Sequence, residues 1–269
     1  MSEQGDKLTY EVIGLAMQVH RKLGPGLDEV FYHELLSAKL KAAGVEHLFK
    51  PHGKLVHRGI TVDEFEPDLV LPDRLVPELK TLWGAFAPEH FVQLTSYLKF
   101  WRIQTGLLID FAKESLIHKR FVFSDEEPPP VSAGELIQQA PSLAKAHPLL
   151  TPLCESLARI YAAYRLGYRD TTYRGLLDAD LRAEGVGSGN QPIAAICCDG
   201  ERLGEAKLNC LLVEHHCPVM VLSLRDEIRA ADRATLLTWL KYLDLPWGLI
   251  VNFGKRTLGT RFVIHPRTR

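Results

Sequence analysis

The chain predicts a mixed α/β architecture, a sheet with helices packed on it, built twice in tandem. Three observations carry that expectation. Helical and strand periodicities alternate along residues 8–123, a proline-rich acidic segment interrupts the chain near its middle, and the pattern before the interruption returns after it.

The elements of the first half follow in order. Residues 8–23 carry apolar side chains at helical spacing and stop at Gly24-Pro25-Gly26. Residues 28–43 resume as a second helix ending at Gly44. Short β-type runs follow. Residues 47–56 turn at Arg58-Gly59, residues 60–71 turn at Pro72-Asp73, and residues 75–82 return, which predicts a three-strand meander. Residues 89–101 are helical in pattern, 104–111 read as a buried strand, and 116–123 as a last strand.

The interruption begins at Ser124-Asp125-Glu126-Glu127-Pro128-Pro129-Pro130. Three prolines remove backbone donors and hold the chain extended, while the acids keep it solvated. It predicts a linker over residues 124–152, with a short helix after Gly134, between a unit at 1–123 and a unit at 153–269. The repeat is visible residue by residue. Gly26-Leu27-Asp28-Glu29-Val30-Phe31-Tyr32 returns as Gly167-Tyr168-Arg169-Asp170-Thr171-Thr172-Tyr173, an offset of 141. The run from Gly106 to Phe111 returns from Gly248 to Phe253, an offset of 142, and both halves close on an Arg-Phe-Val strand at Arg120 and Arg261. Shared order and spacing over most of each half predict a tandem duplication.

Composition sets bounds. With 269 residues, 46% hydrophobic and 24% charged, the chain can bury a core without staples. Five cysteines form no C-x-x-C pair, which predicts free, mostly buried thiols. The start shows no basic segment followed by an apolar one, and no apolar run is long enough to span a membrane, so the expected compartment is cytoplasmic. A net charge of −1 argues against an indiscriminate nucleic-acid binder. Its distribution is uneven: −1 over 1–123, −3 over 124–152 and +3 over 153–269.

Candidate chemistry concentrates in the first half. The turn at Pro72-Asp73 folds its flanking strands antiparallel, so Asp68 and Glu78 face each other across the pair if the register permits. Lys80 shares a face with Glu78 because strand side chains alternate. Two adjacent carboxylates resist ionising without a cation between them, and magnesium, which takes oxygen ligands, removes that cost. A lysine beside the ion orients or helps deprotonate an attacking water. A solvated charged hairpin edge is the alternative reading of the same residues.

These residues lie in a wider pattern. Leu23-Gly24-Pro25-Gly26-Leu27-Asp28-Glu29-Val30-Phe31-Tyr32, Pro67-Asp68, Glu78-Leu79-Lys80 and the run Glu89-His90-Phe91-Val92-Gln93-Leu94-Thr95-Ser96-Tyr97 occur in that order. The chain resembles the GxxExxY family of the PD-(D/E)XK nuclease superfamily, with a RecB-like Gln-x-x-x-Tyr element, over most of residues 9–123. It departs at Asp110, where the family usually has asparagine; the second half keeps Asn252. The resemblance implies a restriction-endonuclease-like fold. It also implies that Asp68, Glu78 and the Leu79 carbonyl bind Mg²⁺ (Mn²⁺ as a substitute), with Glu29 completing the acidic site. Lys80 serves the nucleophilic water, and Gln93 and Tyr97 border the site or touch the nucleic-acid backbone. Read without it, Glu29 is equally a surface helix residue, Gln93 and Tyr97 a helix-packing pair at i, i+4, and His90 a surface histidine.

In the second half Asp68 falls on Cys210, Glu78 on Met220, Lys80 on Leu222 and Gln93 on Thr235, while Asp170 stands opposite Glu29. Cys, Met and Leu cannot build a magnesium site, so that copy is expected to be inert and to pack on the first as an intramolecular pseudo-dimer partner, its +3 balance allowing a share in substrate binding, with a further homo-oligomer open. Cys210, His215, His216 and Cys217 invite zinc, but their spacing matches no finger or ribbon. Three function classes remain: a metal-dependent phosphodiesterase acting on DNA (RNA second), a non-catalytic nucleic-acid- or protein-binding module that keeps the fold, and a hydrolase of another phosphoester.

Overall fold

The computed structural model describes residues 3–125 and 127–266. Met1, Ser2, Glu126 and residues 267–269, at the ends of the expected units and within the expected linker, lie outside the described residues. Two compact units form: Met1–Leu55 with Glu64–Glu126, and Glu127–Arg269 with Val56–Asp63. The second unit therefore includes the tip of a hairpin encoded in the first half.

The first unit opens with α1 (Glu3–Leu23) and α2 (Glu29–Ala42). The break between them needs glycine, since Gly26 takes a φ of +90° that a side chain disfavours. Then come β1 (Leu48–Phe49), β2 (Gly53–His57), β3 (Ile60–Phe65), β4 (Leu69–Val70) and β5 (Val76–Lys80). The helix α3 (Pro88–Trp101) and strands β6 (Thr105–Asp110) and β7 (Ile117–Val122) complete it. β5 lies parallel to β6, and β6 antiparallel to β7. The core lies between this sheet and the α1–α2 pair, with Val12, Tyr32, Leu36, Leu79, Leu107 and Phe111 buried in it. Each such side chain contributes about 1.5–3 kcal/mol.

The expected three-strand meander holds at its first turn, where β2 pairs with β3 across Arg58-Gly59, and is corrected on either side of that hairpin. Lys50 takes a φ of +45° and is followed by Pro51, which separates β1 from β2. Pro67, which has no N–H to give a ladder, lies in the break between β3 and β4. β1 and β4 pair with each other, and among the described residues the turn from β4 into β5 is closed by an antiparallel bridge between Leu71 and Leu75, just outside the two strands.

The second unit carries α4 (Ala133–Gln138), α5 (Ser142–Lys145), α6 (Leu150–Tyr164) and α7 (Asp170–Ala183). α4 begins at a capping box, Ser132 accepting from the Glu135 N–H while Glu135 accepts from the Ser132 N–H. Strands β8 (Ser188–Asn190), β9 (Ile193–Cys198), β10 (Glu201–Lys207), β11 (Leu211–Val213) and β12 (Cys217–Ser223) follow, then α8 (Ala230–Leu243), β13 (Trp247–Phe253) and β14 (Leu258–Ile264). One sheet runs β14-β13-β12-β11-β8. The fold is thus mixed α/β, sheets flanked by helices, in both units.

The equivalences are detailed. α2 and α7 each have 14 residues at an offset of 141, and α3 and α8 each have 14 at an offset of 142. A β-bulge between Arg202 and Gly204 absorbs the extra residue. Tyr32 stacks on Phe111 at 4.6 Å and its hydroxyl donates to the Gly24 carbonyl at 2.7 Å. Tyr173 stacks on Phe253 at 3.8 Å and donates to the Arg165 carbonyl at 2.7 Å.

The hairpin tip is tied within the second unit by charge. Asp180, buried on α7, accepts from Arg58 Nε at 3.0 Å and from Arg159 Nη2 at 2.8 Å, with His57 Nε2 3.2 Å away. Asp63 pairs with Arg169 and Thr172.

Candidate metal centre

Asp68 lies in the gap before β4, Glu78 and Lys80 on β5, and Glu29 at the start of α2. The Leu79 side chain enters the core, so alternation turns Glu78 and Lys80 to the opposite face. The Lys80 carbonyl accepts from the Phe111 N–H, which commits the Lys80 backbone to β6. The polar groups of Leu79 consequently face the other edge, and its N–H donates to Asp68 Oδ2 at 2.7 Å. Asp68 thus stands where the first unit's sheet is interrupted, its carboxylate taking the place of a strand carbonyl. The Asp68 N–H reaches Glu78 Oε2 at 3.4 Å, and Lys80 Nζ donates to Glu78 Oε1 at 2.7 Å.

The sequence reading missed His33. It lies one turn after Glu29 on the same face of α2, its Nε2 3.5 Å from Glu29 Oε1 and 3.2 Å from Asp68 Oδ2. Glu29, His33 and Asp68 each offer a donor atom within 4.8 Å of the others. His33 is 3% exposed, and neither ring nitrogen has a hydrogen-bond partner among the described residues. The spacing Glu-x-x-x-His on a helix was the available signal.

Electrostatics make this an acid-rich pocket short of positive charge. Burial, with the charge of Asp68 added, pushes the Glu78 carboxyl up to about 8 against the pull of Lys80. Burial also raises Glu29, Asp68 adding to it while Lys80 opposes. Burial works against the Lys80 ammonium, but the charge and hydrogen bond of Glu78, with Asp68 and Glu29 behind, raise its pKa overall.

A divalent ion fits the residues present. The acids outnumber the one ammonium, and the imidazole nitrogens are buried without partners. The 3.2 and 3.5 Å separations approach the roughly 3.0 Å between adjacent corners of an octahedron with bonds of about 2.1 Å. Of the expected ligands, the structure brings Glu29 and Asp68 together, with Glu78 beside Asp68 but paired to Lys80.

Gln93 and Tyr97 meet each other. Gln93 Nε2 donates to the Tyr97 hydroxyl at 2.9 Å, and that hydroxyl donates to the Glu66 carbonyl at 3.3 Å. They fasten the chain two residues before Asp68. His90 Nδ1 accepts from the Ala87 N–H at 2.9 Å and so caps α3. Asp110, the register partner of Lys80, accepts from the N–H groups of Leu82 and Ala112, both at 3.0 Å, and shapes the loop leaving β5. On that loop Trp83 is fully exposed, its carbonyl accepting from Lys113 Nζ at 2.6 Å.

In the second unit the corresponding strands pair without interruption, Leu211 opposite Val219. Cys210, Met220 and Leu222 are buried there. Burial pushes the Cys210 thiol up to about 12. At the helix position of His33 stands Arg174, buried and donating to Asn209 next to Cys210. Three of the five cysteines are buried; Cys197 and Cys198, on β9, are exposed.

Among the described residues no helix is long and apolar enough to cross a membrane. No curated protein matches the chain. Among solved structures, the crystal structure of SSO0001 is similar at 14% identity and a TM-score of 0.29, over 45% of this chain and 64% of that one, so this chain spans less than two thirds of its length. The family model of the PD-(D/E)XK nuclease superfamily matches residues 6–121 and again residues 149–262. With two matched segments spanning most of its length, the chain belongs to the PD-(D/E)XK nuclease superfamily.

Proposed function

We propose that the first unit is a divalent-metal-dependent nuclease hydrolysing phosphodiester bonds of DNA, with RNA the second candidate, and that it falls in the GxxExxY group. The observation that carries this is the convergence of Asp68, Glu78 and Lys80 at the break between β4 and β5, with Glu29 and His33 closing over them from α2. Asp68, Glu29 and His33 would hold the ion, with Glu78 and the Leu79 carbonyl facing it. The bound ion supplies a Lewis acid and lowers the pKa of a water. Lys80, kept cationic by Glu78, orients that water and offsets phosphate charge rather than abstracting its proton. Gln93 and Tyr97 act by holding the Glu66–Asp68 segment. Trp83, exposed three residues after Lys80, offers a face on which a base can stack.

The second unit is catalytically inert in this proposal, its buried Arg174 standing at the helix position from which His33 faces the pocket. We propose the tandem copies as a pseudo-dimer divided near residues 123 and 153. One observation favours the alternative of a non-catalytic binding module: a net charge of −1 gives little general attraction for a polyanion.

Incubation with labelled single- and double-stranded DNA and RNA, with and without Mg²⁺ or Mn²⁺, tests the reading. Metal-dependent cleavage of DNA, lost in folded Asp68→Ala and Lys80→Ala, is expected. Binding without cleavage by the parent protein under all ions would establish the module instead.

A further inference from the structure

We propose that His33 is a nitrogen ligand and that the centre therefore takes a first-row transition-metal dication in preference to magnesium. The inference rests on the metal-dependent reading above and specifies its ion. A neutral imidazole carries one N–H and one acceptor nitrogen, and leaving either buried and unpaired costs about 1–3 kcal/mol. In His33 both are buried without a hydrogen-bond partner, while Nε2 lies 3.2 Å from Asp68 Oδ2 and 3.5 Å from Glu29 Oε1. A cation shared by the three residues relieves that cost at Nε2. It also removes the like-charge repulsion of the two carboxylates.

The second unit supports the direction of the side chain independently. Arg174, at the same helical position, reaches Asn209 beside Cys210, the residue standing for Asp68. In both units, then, this turn of the helix delivers a side chain to the segment preceding the same strand. The first unit delivers a ligand and the second a guanidinium.

Donor chemistry then selects the ion. Magnesium is a hard ion that keeps its waters and takes carboxylate and phosphate oxygens. Imidazole favours the transition dications, whose affinity for nitrogen exceeds that of magnesium. An all-carboxylate pocket would not discriminate in this way, and one nitrogen is enough to tilt it.

Mn²⁺ is the probe, because its electron spin reports both binding and ligand identity. The full chain is titrated with Mn²⁺ by paramagnetic resonance, Mg²⁺ is added as competitor, and pulsed measurement looks for nitrogen coupling. The expected result is one Mn²⁺ with directly bound nitrogen, displaced only by Mg²⁺ in roughly tenfold or greater excess. In His33→Gln the nitrogen coupling disappears and Mn²⁺ affinity falls by roughly tenfold or more, while Mg²⁺ affinity changes little. Mn²⁺ bound without nitrogen coupling, coupling that persists in His33→Gln, or equal competition by Mg²⁺ would overturn the inference and leave the metal-dependent reading intact. Binding of neither ion would overturn that reading as well. The nitrogen signal in the parent protein needs no variant, so a misfolded His33→Gln does not decide the question.

Discussion

The two units share a scaffold and differ in what it holds. Both stack a tyrosine of the second helix on a phenylalanine at the end of a central strand, and both tie that tyrosine to the preceding helix end. Where the first unit interrupts the pairing of β4 with β5 and turns carboxylates into the gap, the second pairs β11 with β12 and fills the space with Cys210, Met220 and Leu222. Acids crowded together are costlier to bury than apolar side chains, even with Lys80 and the Leu79 N–H as partners. One scaffold thus accommodates a charged pocket in the first unit and apolar packing at the same place in the second.

The sharpest way to break this contrast is substitution at equivalent positions. Asp68→Ala should lower cleavage by about 10²–10³-fold, whereas Cys210→Ala, at the matching place in the second unit, should leave the rate within a small factor, as steady-state kinetics will show. Equal losses at both positions would mean that the second unit takes part in catalysis.

A second contrast concerns stability. Asp180 is buried and accepts from Arg58 and Arg159, and Asp180→Ala should cost about 1–3 kcal/mol, because the two guanidiniums it leaves are partly in water. Its counterpart Lys39 makes one exposed hydrogen bond to Gln18, and Lys39→Ala should stay within about 0.5 kcal/mol. Chemical denaturation measures both.

The pH dependence of the metal-free protein sharpens the comparison further. Glu78 titrates at about 8 when folded against 4.5 ordinarily. Between those values the folded state keeps a proton that the unfolded chain has released. Stability should therefore fall as pH rises through this window, by up to about 1.4 kcal/mol per pH unit. Glu78→Gln should flatten the slope, and a divalent ion should reverse part of it. Denaturation midpoints from pH 5 to 8 provide the check; a rising curve in the metal-free parent that Glu78→Gln leaves unchanged would count against the pocket described.

The smallest expected effect tests the shared scaffold. Tyr32→Phe and Tyr173→Phe each remove a hydroxyl that donates to a carbonyl, and each should cost about 0.5–1.5 kcal/mol. A large difference between them would weaken the case for equivalent helix junctions.

Much of this was legible in the residues themselves. Helical periodicity with Gly24 and Gly44 as stops located α1 and α2, and the turn at Pro72-Asp73 brought Asp68 beside Glu78. The repeat offset alone aligns α3 with α8, and the step from 141 to 142 falls at the bulge between Arg202 and Gly204. What escaped was long-range. Pairing of β1 with β4 depends on residues about twenty apart, and the attachment of Arg58 to Asp180 on residues more than a hundred apart. Local alternation cannot distinguish either from a meander. His33 escaped for a different reason: a histidine on a helix face is common, and only the buried company of Glu29 and Asp68 makes it a ligand candidate.

Anomalous diffraction from crystals of the full chain soaked in Mn²⁺ is the most direct measurement. One peak among Glu29, His33, Asp68 and Glu78, with none beside Arg174, Cys210 and Met220, is the predicted result. A map empty at the first position, or with an ion at the second, would contradict the division of one loaded unit and one filled by its own side chains.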